Sequence, residues 1–201
     1  EFVCTQKLAH GYDFETTLEL HPGDYRIMVW SDLQESRHSV PFYEPANFAK
    51  IVLQGEHPAN TDSRDAFSGK QQIVLTSDII ERKPDTLDIA MRRPLGKFEF
   101  ITTDVLEFIR KEVVRLASRG DLAYAPDEDL SRMIDIKNYK IIFHYVGFMP
   151  NAYSVLTDMV VDSATGVSFY SSLNRLNNKE ASLGFDYVFL NETESAVTVK
   201  I

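Results

Sequence analysis

The sequence predicts a mainly β protein of the sandwich or barrel class. Three observations carry that expectation. Short runs of alternating apolar and polar residues recur along the chain, set apart by Pro, Gly, Asn and Asp. Only one stretch, around residues 104–118, changes to the 3.6-residue period of a helix. No apolar run nears the roughly 20 residues that a membrane-crossing helix needs.

Taken in order, "EFVCTQ" opens the chain as a strand-like run, with Cys4 read as a buried thiol. Pro22-Gly23 reads as a type II turn, since Pro presets φ and Gly accepts a positive one. From there Tyr25, Ile27 and Val29 alternate with Arg26, Met28 and Trp30, giving a strand with one apolar side. "AKIVLQG" (49–55) and "KQQIVLTS" (70–77) are the next strands, with "EHPANTDSRDAFSG" between them as a loop. "TLDIAMRRP" follows as a strand that Pro94 stops, bends or places at an edge. In "GKFEFITT", Phe98 and Phe100 face one way and Lys97 and Glu99 the other.

The helical stretch carries Val105, Phe108, Ile109, Val113, Leu116 and Ala117 on one stripe. Asp104 is the expected N-cap, Glu107 completes a capping-box pair, and Gly120 is the expected stop. The acidic run Asp127, Glu128, Asp129 reads as a solvated loop. Strands resume in "KNYKIIFHYVGFMP". There Tyr139, Ile141, Phe143 and Tyr145 face opposite to Lys140, Ile142, His144 and Val146. "GVSFYSSL", "SLGFDYVFLN" and "SAVTVKI" continue the pattern. At 201 residues one large or two small domains fit. A boundary near residues 95–105 gives halves of similar size, 1–103 and 104–201.

Composition narrows the function classes. A formal net charge of −9 argues against nucleic acid, whose phosphates call for clustered Lys and Arg, and against docking on anionic lipid by charge alone. One cysteine excludes an intrachain disulfide and all-Cys zinc.

The histidines, His10, His21, His38, His57 and His144, show no helical metal-pair spacing. His144 reads as a core or sheet-surface residue. Asp62 and Asp65 sit on a Gly-bearing loop and offer oxygens to a hard cation, but no bidentate Glu closes the loop. The plainer reading is a loop tied by Asx turns and by an Asp contact to Arg64 or backbone. Arg92-Arg93-Pro94 reads as a bridge to carboxylates. Asn191 heads a glycosylation sequon, a pattern of low specificity. Trp30, Phe42 and Tyr43 offer an aromatic platform for sugar, although the mid-strand place of Trp30 favours core packing. There is no nucleophile elbow and no phosphate loop, and no particular pair of carboxylates is singled out. No catalytic, cofactor-binding or metal-ligating residue is therefore expected, and the chain is read as a non-enzyme.

Several ordered segments carry a resemblance: "HPGDYRIMVWSDL", "RDAFSG", "RRPLGKFEFITTD", "YKIIFHYVGFMPNAYSVLTD", "ATGVSFYSSL" and "LGFDYVFLNETESAVTV". Together they resemble the fimbrillin-like proteins of Bacteroidetes, the minor fimbrial subunit and anchor group of type V pili, over nearly the whole chain. The resemblance implies two tandem transthyretin-like Greek-key β-sandwiches, residues 1–103 and 104–201. It also implies export through the periplasm by a lipoprotein route to the outer membrane and cell surface. Its implied partners are other pilus subunits joined by strand exchange, with host or bacterial surface ligands beyond them. Any membrane attachment would run through a lipid anchor upstream of this chain. The chain begins without Met and ends at Ile201 on a strand, where relatives continue by at least another hairpin. The expectation is a processed or trimmed chain, with a second sandwich short of its last strands. The alternative function is a carbohydrate-binding surface module of an outer-membrane system.

Overall fold

The structure, a computed structural model, describes residues 15–33, 40–77, 86–123, 129, 133–191 and 197–201. It is mainly β and of sandwich type, with several sheets and, among the described residues, no closed barrel. The described strands run β1 (Gly23–Asp32), β2 (Tyr43–Glu44), β3 (Ile51–Leu53), β4 (Ala66–Leu75), β5 (Leu95–Thr102) and β6 (Lys140–Val146). They continue as β7 (Phe148–Ser154), β8 (Met159–Thr165), β9 (Ser168–Ser172), β10 (Asn174–Arg175), β11 (Ala181–Phe189) and β12 (Thr198–Lys200). The helix α1 spans Val105–Ser118. The sheet orders are β1-β4, β2-β3-β7-β8, β10-β11-β5 and β12-β6-β9.

Contacts divide the chain into two units, Glu1–Arg26 with Gln72–Asp88, and Ile27–Gln71 with Ile89–Ile201. In the first, the Tyr25 hydroxyl donates to the His21 carbonyl at 2.9 Å. In the second, pairings run across the expected boundary at residues 103/104: β3 pairs with β7, and β5 with β11, both antiparallel. Residues from both halves of the sequence thus complete the same sheets.

β11 explains why. It reads "ASLGFDYVF", and nearly every residue is covered on both faces, as a strand enclosed on both sides requires. Tyr187 and Phe189 join Tyr43, Ile51 and Tyr153 in one core. Val188 joins Phe143, Tyr145, Met149 and Phe169 in another. A third core lies under α1, where Val105, Ile109 and Val113 meet Ile134, Ile136 and Ala181. Gly184 marks a register shift in β11 and has φ +140°. A Cβ there would come within 2.6 Å of Ser171 Oγ and 2.8 Å of Asn60 Oδ1, so only glycine lets β9 come this close to β11.

The helix ends as its sequence predicts. Gly120 (φ +77°) donates to the Ala117 carbonyl and Asp121 to that of Leu116, each at 3.0 Å, a Schellman pair. Its start differs. The Asp104 side chain caps no helix N–H and instead accepts from the Thr102 hydroxyl.

On the covered side of α1, Glu112 takes Arg115 Nε at 2.8 Å and the Tyr139 hydroxyl at 2.6 Å. The Arg115 bond, then the Tyr139 bond, hold its carboxyl down to about 2 from an ordinary 4.5. A carboxyl depressed by folding adds stability above its unfolded value, and that stability is lost as pH falls through the folded one. Melting temperatures are therefore expected to drop between pH 4.5 and about 2. Glu112→Gln should flatten part of that drop and lower the neutral-pH melt. An unchanged acid profile in the variant would contradict this role.

Three local expectations are corrected. Gly23 has no positive φ and begins β1 directly, so Pro22-Gly23 is not a type II turn. Ala66–Gly69, expected as loop, opens β4 because Ala66 and Ser68 are buried there. "TLDIAMRRP", expected as a strand, makes one isolated bridge, Ser68 with Arg92.

Candidate functional site

An aspartate inside the apolar run of β11 is the chemical oddity of the fold. Asp186 is 1% exposed and Arg64, from the 3-10 turn Asp62–Arg64, is 2% exposed. A buried carboxylate stays charged only if its lone pairs are filled, and here four donors fill them. Arg64 Nη1 and the Tyr187 N–H (2.8 Å) reach Oδ1, while His57 Nε2 (2.5 Å) and the Tyr145 hydroxyl reach Oδ2. Arg64 also donates through Nη2 to the Tyr187 carbonyl at 2.6 Å and through Nη1 to that of Pro58 at 3.2 Å. The Tyr43 hydroxyl donates to the Arg64 carbonyl at 2.7 Å.

Chemistry follows from this arrangement. The Asp186 carboxylate oxygen accepts, so the His57 proton that faces it sits on Nε2. Burial, then the nearby Asp186 charge, push the Tyr145 hydroxyl well above the ordinary tyrosine value, which keeps it a donor. Burial likewise raises Tyr43 to about 12. His57 Nδ1 and Arg64 Nε have no hydrogen-bond partner among the described residues. The His-Asp pair resembles half of a catalytic relay, yet its side chains are 6% and 0% exposed. Tyr145 and Phe169 flank the imidazole at 5.7 and 6.0 Å. No surface nucleophile touches it among the described contacts. The cluster ties β11, β6 and the 56–64 segment together across two cores, which is structural work.

The accessible features are sheet edges. β5 pairs with β11 along all eight of its residues and, among the described residues, with no strand on its other side. Phe98 and Ile101 are exposed along it. Its two charges are engaged: Lys97 with Asp62 at 2.7 Å and over the Phe185 ring at 4.1 Å, Glu99 with Ser182 Oγ at 3.3 Å. β8 is blunted by comparison. Its register slips twice against β7, and its Val160 N–H is taken by Asn191 Oδ1 at 2.7 Å. β9 is blunted too. The Tyr170 carbonyl accepts from Asn60 Nδ2 at 3.3 Å.

The candidates named from sequence disperse. Tyr43 is 1% exposed, and Trp30 packs edge-on against it at 5.4 Å, with Phe42 against the same core. The aromatic platform is therefore corrected to core packing. Trp30 Nε1 donates to Asp32 at 3.2 Å. Asp62 is held by Lys97 and the Tyr187 hydroxyl, and Asp65 by a two-pronged Arg93 contact at 2.6 Å. Their oxygens serve the protein's own cations. Arg92 reaches Asp158 at 2.8 Å. His144 lies on the outer sheet face beside Ser168 Oγ at 2.7 Å. Among the described residues no group of three or more His, Cys, Asp or Glu side chains could hold a metal ion. Cys4, His10, His38, Asp127 and Glu128 lie outside the described residues. Arg64, expected to meet an Asp of its own loop, pairs instead with Asp186, and neither Asp186 nor Tyr170 is a sequence candidate. One signal was a charge inside "LGFDYVFL"; the other was an aromatic on the polar side of "SFYSS".

Among known proteins, one family model matches, that of a family of unknown function (DUF6562), over residues 1–201. No curated protein and no solved structure matches the chain.

Proposed function

The chain belongs to that family of unknown function, and from this premise we propose a structural role outside the cell. The protein is a fimbrial subunit, or a surface adhesion lipoprotein of the same build, that joins its neighbours by β-strand addition. The observation that supports this reading is β5: eight residues in unbroken succession, open on one side among the described residues, with exposed Phe98 and Ile101. An edge strand of this kind templates another chain unless a free charge, a proline or a bulge blunts it. Both charges of β5 are already occupied, and it contains no proline.

An extended segment of another subunit laid along β5 gains main-chain hydrogen bonds worth about 1 kcal/mol net each. It also covers the two apolar side chains. The work is mechanical, and no catalytic step is assigned. Export and display at the outer membrane belong to the same proposal.

The test is assembly on cells that produce the protein. Surface material is expected to contain detergent-resistant ladders and filaments that bind an antibody to this chain. Phe98→Lys should abolish the ladders with little change in melting temperature, since the site is exposed. Val161→Lys, on the blunted strand β8, should leave them intact. Material that stays monomeric, or a Phe98→Lys chain that assembles normally, would contradict the proposal.

A further inference from the structure

We infer that the groove between β9 and β11 is a binding site for a neutral saccharide. It is lined by Tyr170, Asn60, Glu99, Ser172, Asn174 and Ser182. Tyr170 is 68% exposed and stands on the outer face of an edge strand. A ring that large, left in water beside a polar groove, offers an apolar face to stack on, as the C–H side of a sugar ring requires. Beside Phe185 and the Lys140 ammonium, the lining around it supplies hydroxyl, amide and carboxylate, the groups that pair with sugar hydroxyls. The site is built rather than incidental. Gly184, at φ +140°, lets Ser171 and Asn60 close in on β11 to form the floor, and Asn60, at φ 58°, closes the end by bonding the Tyr170 carbonyl and the Phe185 N–H (2.9 Å).

The same geometry argues against the other ligand classes. A peptide strand needs the free main chain of β9, and the Tyr170 carbonyl is already taken by Asn60. A polyanion needs clustered cations, and the groove lining holds one, Lys140, along with an acidic Glu99. The inference does not use the open main-chain edge of β5, which lies on the far side of β11 from β10, although Glu99 of β5 lines the groove.

The experiment uses the full chain on immobilised neutral oligosaccharides: β-glucan, xylan, α-mannan and N-acetylglucosamine oligomers. Saturable binding to at least one of them is expected. Tyr170→Ala should weaken it about tenfold with an unchanged melting temperature, and Tyr170→Phe should preserve it. Asn174→Ala should weaken it as well. Four results would overturn the inference: no retention of any of these probes, equal binding by Tyr170→Ala, retention of sulfated or uronic glycans alone, or capture of an extended peptide in this groove.

Discussion

Replacing Asp186 by alanine is expected to cost about 3–5 kcal/mol of stability, which for a chain of this length is a drop of roughly 10 °C in Tm. The size follows from what is left behind. Arg64 stays 2% exposed with its charge, and the carboxylate that neutralised it is gone. His57 Nε2 and the Tyr145 hydroxyl lose their acceptor in the same step, and each buried donor so orphaned adds about 1–3 kcal/mol. Some of these losses are relieved by local rearrangement, so they do not simply add. Removing both charges together, as in Arg64→Met with Asp186→Leu, should cost much less than the sum of the two single changes. An apolar pair of similar volume needs no compensation in the core. Chemical unfolding of the single and double variants measures the difference. A loss below about 1 kcal/mol for Asp186→Ala would mean that the cluster is solvated and does not bind the cores together.

Phe143→Ala should cost a similar amount, about 3–5 kcal/mol. Phe143 is fully buried on β6, stacked on Phe169 with centroids 4.6 Å apart and planes 14° apart. Phe100 from β5 touches it at 4.8 Å. The ring therefore joins strands from three parts of the sequence, and the void left by alanine cannot be closed by one neighbour alone. Phe143→Leu, which keeps much of the volume, should cost under about 1.5 kcal/mol. The denaturant midpoint should move at constant slope if the native fold survives. Equal losses for the alanine and leucine variants would show that the cavity, and so the packing described for β6, is not what stabilises this core.

Local patterns were legible in the sequence where one periodicity acted alone. In β6 the alternation sorts Phe143 and Tyr145 inward and Lys140, His144 and Val146 outward, as it predicts. The α1 stripe and its Gly120 stop are read as easily. The sequence misled where tertiary contacts overrode local preference. "TLDIAMRRP" alternates well, yet its arginines are drawn to Asp65 and Asp158, and only one bridge to β4 forms. β11 shows no alternation because both of its faces are covered, which periodicity cannot distinguish from other buried segments. The Asp186 cluster was illegible for a different reason. Its partners His57 and Arg64 lie 129 and 122 residues away. Spacing within the chain gives no hint of such pairs, and only the cost of an aspartate in an apolar strand hints that one must exist. Trp30 and Tyr43 show the converse: the most sugar-like aromatics of the sequence went to the core, and Tyr170 was left outside.

The most direct measurement of the assembly proposal is backbone amide exchange in β5, compared between isolated subunit and surface filaments. If neighbours add a strand there, alternate amides of Leu95–Thr102 become protected in the filament, while those of Met159–Thr165 in β8 keep their subunit rates. Filaments in which the β5 amides exchange as fast as in the free subunit would contradict strand addition at this edge.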